Sequence, residues 1–215
     1  MTPNKEDYLK CIHELGQASD KITNKQIAEN MAVSAPAASE MLKKLLLENW
    51  IEKSKESGYL LTGAGQDQVA QLYRKHRLLE VFLINQLSYS PEQVHQEAEI
   101  LEHTVSDLFI DRLEILLNFP KHCPHGGNIP QKGQPLVEDY QITLDTIDRP
   151  GRYRLVRFQD NEPLLNYMSE HQLAIGDRLA ITAIDDFAGT LTLERDGVSL
   201  QITTSVARQL FVEAC

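Results

Sequence analysis

Residues 23–62 leave this chain little freedom of architecture. Thr23 opens a short helix, Asn24 to Asn30, with Ile27, Ala28 and Met31 turned inward. The tight turn Met31-Ala32-Val33-Ser34 follows. Ser34 caps a longer helix, Ala35 to Asn49, whose first turn tolerates Pro36. Ala38, Met41, Leu42, Leu45 and Leu46 form its buried face. A short helix, a tight turn and a longer helix make a helix-turn-helix. From Trp50 to Thr62 the chain alternates apolar and polar residues, turns around Ser57-Gly58 and returns as Tyr59-Leu60-Leu61. That is a two-stranded hairpin in the position of a wing.

The exposed start of the longer helix is Ser34, Ala35, Pro36, Ala37 and Ser39. Small side chains let a helix lie deep in a major groove, where methyl groups meet thymine and serine bonds phosphate or a base edge. Lys43 and Lys44 follow at positions for phosphates, and Lys53 and Lys55 lie on the wing. A helical domain with a protein-binding hairpin is the blander alternative, and lysines on both helix and wing favour DNA. The net charge of −10 would argue against nucleic acid, but it is unevenly spread. Residues 1–77 carry 11 Lys+Arg against 10 Asp+Glu, whereas residues 78–215 carry 10 against 21. A near-neutral start on an acidic remainder points to separate roles.

Ahead of this unit, Thr2-Pro3 reads as a helix start, with Tyr8, Leu9, Cys11, Ile12 and Leu15 buried and Gly16 as a stop. Asp7 then has a sufficient local explanation, compensation of the helix dipole. Behind it, a helix is predicted from Ala64 to about Gln86, carrying Arg74-Lys75-His76-Arg77 and Glu80. His76 and Glu80 share a face, a spacing that an ordinary ion pair also satisfies. Ser90-Pro91-x-Gln93 starts another helix, predicted to run to about Asn118. Glu99, Glu102 and His103 share one face of it with His95 one turn earlier. That line lies beside the apolar stripe Val94, Ala98, Leu101, Val105, Leu108 and Phe109, so its carboxylates are partly desolvated and need partners or a cation. The two helices read as an antiparallel pair, with apolar surface left over for a symmetric dimer.

Residues 120–135 hold four Pro and three Gly and read as a long loop. Within it Cys123-Pro124-His125 is a compact thiol–imidazole unit, flanked by His122, without zinc-knuckle spacing. From about Gln141 short strands are predicted at 153–158, 177–182, 190–193 and 199–202, with a helix at 162–172. Together they suit a small SH3-like β-barrel. Asp160 follows the first strand and reads locally as a turn residue. Three widely spaced cysteines (Cys11, Cys123, Cys215) argue for a reducing cytoplasm rather than a disulfide scaffold. No signal-peptide core or membrane-length apolar run is present. The fold expected is mainly α with small β parts. Its predicted domains are a winged helix-turn-helix over 1–71, a helical metal-binding and dimerisation domain over 72–140, and an SH3-like (FeoA-like) domain over 141–215.

Glu6-Asp7-Tyr8-Leu9, Tyr73-Arg74-Lys75-His76-Arg77-Leu78, His95-x-Glu97-Ala98-Glu99-x-x-Glu102-His103 and Cys123-Pro124-His125-Gly126-Gly127 together carry a resemblance. The chain resembles the metal-dependent repressors named after the diphtheria toxin repressor, and among them the three-domain manganese/iron regulators. The resemblance spans the whole chain and implies two metal sites. The primary one would take Asp7, Glu99, Glu102 and His103, with His76 close by. The second would take Glu80, Cys123, His125 and Asp160, and His95 matches a ligand of the iron-responsive branch. Where that branch has Met and Cys in the primary site, this chain has Asp7 and Glu99. Oxygen ligands suit Mn2+ and Fe2+, and Zn2+ can still bind through raw affinity.

The resemblance further implies a cytoplasmic homodimeric repressor of metal-uptake genes on palindromic operator DNA, with no small-molecule substrate and no enzymatic activity. Metal would clamp the helix of Asp7 to the dimer unit and fix the two winged helices at one spacing. Two other readings fit the ligating residues. A metallohydrolase built on Glu99, Glu102, His103 and His76 would need an open coordination position and a substrate pocket; the chain shows no nucleophile motif or Gly-rich phosphate loop, and the winged helix would go unexplained. A winged-helix regulator indifferent to metal would leave the acidic residues merely solvated.

Overall fold

The structure is a computed structural model that describes residues 3–215. Two compact units emerge. The first takes in the chain up to His76 together with Glu102–Val105 and Pro130–Leu136; the second takes in Arg77–Leu101, Ser106–Ile129 and Val137–Cys215.

The first unit begins with α1 (Pro3–Ala18), α2 (Asn24–Asn30) and α3 (Ala35–Leu47). The Thr2 cap expected from the sequence lies outside the described residues. Gly16 does not stop α1, which continues to Ala18. Thr23 and Gln26 form a full capping box at α2, and the Ser34 hydroxyl accepts from Ala37 N at α3. A hairpin of β1 (Ile51–Ser54) and β2 (Gly58–Leu61) pairs Ile51 with Leu61. The segment before α2 joins it: Ile22 N donates to Ser57 O and Tyr59 N donates to Ile22 O, both at 3.0 Å. Gly58 at φ 74 makes this possible, because a Cβ there would collide with the Ile22 carbonyl. Tyr8, Leu9, Ile12, Ile27, Leu42, Leu45, Ile51 and Val69 fill one core.

Helix α4 (Gly63–Leu87) contains the division between the units. Arg74, His76 and Arg77 of its basic stretch are buried. The single long helix predicted from Ser90 to about Asn118 is two helices, α5 (Pro91–Glu102) and α6 (Asp107–Leu116). Ser106 is the reason. Its extended backbone and its hydroxyl, which accepts from Phe109 N at 3.2 Å, start a new helix and leave His103 in a turn. The change of register also exposes Leu108 and Phe109, which the sequence pattern had placed in the stripe; Ile110 and Leu113 are buried instead.

The rest of the second unit is one antiparallel sheet of order β6-β5-β4-β3-β7, built from β3 (Gly151–Phe158), β4 (Arg178–Asp185), β5 (Thr190–Arg195), β6 (Val198–Thr203) and β7 (Leu210–Ala214). Helices α7 (Glu162–Glu170) and α8 (Thr204–Ala207) complete it. Strand β7 and α8 were not anticipated. The core is Leu144, Leu155, Leu164, Met168, Leu179, Ile181, Leu193 and Leu210, among others. A bulge between Leu155 and Arg157 on β3 lies just before Asp160 and breaks the ladder with β7.

Candidate metal centres and nucleic-acid interface

In the first unit the ligating side chains meet around His103. Glu6 and Asp7 are adjacent on α1, and Lys10 lies four and three residues after them, one turn further along. Because α5 ends at Glu102, the His103 ring swings into the turn, with Nδ1 2.7 Å from Glu6 Oε2 and Nε2 2.9 Å from Asp7 Oδ1. The same Nε2 is 3.5 Å from Glu102 Oε1, and Glu102 Oε2 is 2.6 Å from His76 Nδ1. Lys10 Nζ stands 3.9 Å from Glu102, a cation beside a buried carboxylate. Burial pushes the Asp7 pKa above its ordinary value, against the pull of His103. Asp7, His76, Glu102 and His103 thus form one chain of contacts. Glu99 is instead half exposed, its carboxylate 3.6 Å from Nε2 of His95. Sequence reasoning passed over Glu6, because an acid in a first helical turn carries no distinguishing signal.

In the second unit five ligating groups converge. His125 Nδ1 lies 3.1 Å from Glu80 Oε1 and 3.2 Å from Asp160 Oδ1. His95 Nδ1 lies 2.7 Å from the same Asp160 oxygen and 4.0 Å from Glu80 Oε1. The ligand atoms of Glu80, Cys123 and His125 fall within 4.8 Å of one another, as do those of Glu80, His95 and Asp160. Neither ring nitrogen of His125 makes a hydrogen bond of usable angle despite these short approaches. Crowded lone pairs around a common point, in place of aligned donor and acceptor pairs, fit a bound cation. Burial disfavours charge on His125, but the Glu80 and Asp160 carboxylates outweigh it and raise its pKa. Burial also raises the Cys123 thiol, with Glu80 adding to it and His125 and Arg77 opposing it. His95 was set by the sequence on a line with Glu99; that its partners include Asp160, 65 residues further on, has no local signature.

The donor sets fit divalent metal. The first offers carboxylate oxygen and imidazole, the second adds one thiolate. What a bound ion supplies is a charge that satisfies all of these lone pairs at once, which no single proton does.

The residues expected to face a groove lie at the exposed start of α3. Ser34, Ala35, Pro36 and Ala37 are exposed, while Ser39 is half buried, its hydroxyl accepting from Asn24 Nδ2 at 2.8 Å. Lys43 and Lys55 are exposed. Lys44 pairs with Glu40 at 2.8 Å, and Lys53 rests over the Tyr59 ring with Nζ 3.1 Å from its hydroxyl. Among the described residues no helix is long and apolar enough to cross a membrane.

Comparison with known proteins accounts for nearly the whole chain. Residues 1–59 match the iron dependent repressor N-terminal DNA binding domain, residues 62–131 its metal binding and dimerisation domain, and residues 142–214 the FeoA domain. The solved manganese regulator SloR is 59% identical, each chain covered in full, with a TM-score of 0.91. ScaR with bound Zn2+ is 51% identical over 98% of this chain and 99% of its own, with a TM-score of 0.94. The diphtheria toxin repressor of Corynebacterium diphtheriae is 23% identical over 97% of this chain and 96% of its own length. These relatives are transcription regulators, not enzymes. With its DNA-binding, metal-binding and FeoA segments matched in that order, this chain belongs to the diphtheria toxin repressor family of metal-dependent transcriptional repressors.

Proposed function

We propose that this repressor answers to Mn2+ or Fe2+, which it takes up at two sites. Asp7, His76, Glu102 and His103 hold one ion, with Glu99 joining from its place three residues before Glu102 on α5. Glu80, Cys123, His125 and Asp160 hold the other, with His95. The observation that carries this reading is the bridge made by His103 Nε2 between Asp7 on α1 and Glu102 at the end of α5. A cation there ties the first helix of the DNA-binding unit to the Glu102–Val105 turn. It favours whichever conformations already hold these groups together.

In this reading the protein is a cytoplasmic homodimer on palindromic operators of metal-uptake genes. Ser34, Ala35, Pro36, Ala37 and Ser39 face the major groove, and Lys43, Lys44, Lys53 and Lys55 face phosphates. In this reading the chain is organised as a DNA unit to residue 71, a metal and dimer unit to 140 and an SH3-like unit thereafter. The test is operator binding by fluorescence anisotropy with and without Mn2+, Fe2+ and Zn2+. Affinity is expected to rise with Mn2+ or Fe2+; affinity indifferent to all three metals overturns the reading.

A further inference from the structure

The loop bearing Cys123 and His125 has no regular secondary structure to hold it, yet its ligands must be placed to a fraction of an ångström. Its inner turn is closed locally: Cys123 N donates to Gly127 O at 2.9 Å and Gly126 N donates to Cys123 O at 3.0 Å. At its outer edge Ile129 N donates to Lys121 O at 2.8 Å, and one carboxylate ties this edge to other elements. Glu138 Oε2 accepts from Asn128 N at 2.9 Å, while its Oε1 lies 2.6 Å from Arg77 Nη2 and 3.4 Å from Arg157 Nη1. Arg77 in turn donates through Nη1 to the Asn128 carbonyl, and Asn128 Nδ2 donates to Val137 O at 2.9 Å. All three charged side chains of this network are largely buried.

What matters is where the two arginines sit. Arg77 is three residues before Glu80 on α4, and Arg157, on β3, is three residues before Asp160, which follows the end of that strand. The carboxylate of Glu138 therefore joins the helix that supplies Glu80 and the strand that leads into Asp160 to the loop that supplies Cys123 and His125. The loop is fitted to this arrangement. A Cβ on Gly127 would stand 2.6 Å from the Arg77 guanidinium carbon, and Gly126, at φ 81, would drive one into the Val156 carbonyl. On the far side Phe158 N donates to His125 O at 3.1 Å, and the Arg157 guanidinium covers the Phe211 ring at 3.5 Å.

We propose that Glu138 is a positioning residue for the second metal set: through Arg77, Arg157 and Asn128 it fixes the spacing of Glu80, Cys123, His125 and Asp160. This rests on the reading of those four residues as a metal site. Outer groups that orient ligands typically account for roughly 10- to 100-fold in metal affinity.

The test loads the full chain with Co2+, whose bond to a thiolate gives an intense near-ultraviolet charge-transfer band. Wild-type protein is expected to show the band and Cys123→Ser to lack it. Glu138→Ala and the near-isosteric Glu138→Gln are expected to bind this Co2+ roughly 10- to 100-fold more weakly with a shifted or diminished band. Glu138→Asp recovers most of both. Glu213→Gln, which breaks the exposed pair with Arg154 in the same sheet, leaves them unchanged. A band absent from wild type, or surviving Cys123→Ser, removes the site and the proposal with it. If the band behaves as a Cys123 band but Glu138→Gln keeps wild-type affinity and spectrum, the site stands and the proposal falls. A lowered urea midpoint with unchanged spectrum gives Glu138 a purely structural role, and also overturns it.

Discussion

The two candidate ligand sets use similar side chains in opposite surroundings. Around His103 the carboxylate of Asp7 is 41% exposed, while Glu102 beside it is 1% exposed. Around His125 the Glu80 carboxylate is fully buried and that of Asp160 is 13% exposed. A partly open set joining a helix to a turn can gain or lose one member at small cost, which suits a group that has to report whether metal is present. A sealed set of mutually repelling carboxylates, by contrast, must always be neutralised by protons or by metal, which suits a constitutive brace. Exposure, more than ligand type, separates a switch from a strut.

The largest effect should come from breaking the sealed set. Glu80→Gln removes a fully buried charge facing His125, and the metal-free protein is expected to lose about 3 kcal/mol in urea unfolding, the scale for a buried pair stripped of one partner. A loss below about 1 kcal/mol, the scale of an exposed pair, would mean the set is not sealed. Next is Asp7→Ala. Its side chain is too exposed for its removal to cost more than about 1 kcal/mol of stability. Metal-dependent tightening on operator DNA is nevertheless expected to shrink by roughly 5- to 150-fold, the usual range of site-to-site coupling. Unchanged metal-dependent anisotropy in this variant would dissolve the contrast between the two sets.

Acidity sharpens the comparison more gently. Both Cys123 and His125 have raised pKa values in the metal-free protein, so both hold protons at neutral pH that metal must expel. Affinity at this set is therefore expected to rise with pH, by about tenfold per unit for each proton released. Calorimetric titrations in buffers of different ionisation enthalpy would count those protons, and a pH-independent affinity would exclude ligation by either group. The smallest effect belongs to Ser106→Ala, which removes the cap that separates α6 from α5. About 1 kcal/mol of stability should go with it. The operator response proposed for the neighbouring His103 turn should weaken, while the Cys123–Co2+ band stays as it was.

Ser34, Thr23 and the alternating wing were legible because each acts within four residues of itself, through a cap or a turn. Ser106 has the same chemistry and was overlooked, because an unbroken apolar rhythm across residues 94–109 masked a change of register. His95 and Asp160 are the sharper case. Each has an adequate local explanation, and only the bulge on β3 and the return of the chain beside α5 put their atoms 2.7 Å apart. Glu138 had no signal at all: an acid in a loop becomes informative only when two arginines from distant elements close on it.

Local rules in the sequence were therefore enough for the winged helix and the fold class of the molecule, since caps and periodicity are short-range properties. The tertiary structure alone decided which carboxylates are open and which are sealed, and which loop is held in place. Burial and electrostatic partnership are sums over neighbours far apart in sequence, and no window along the chain contains them.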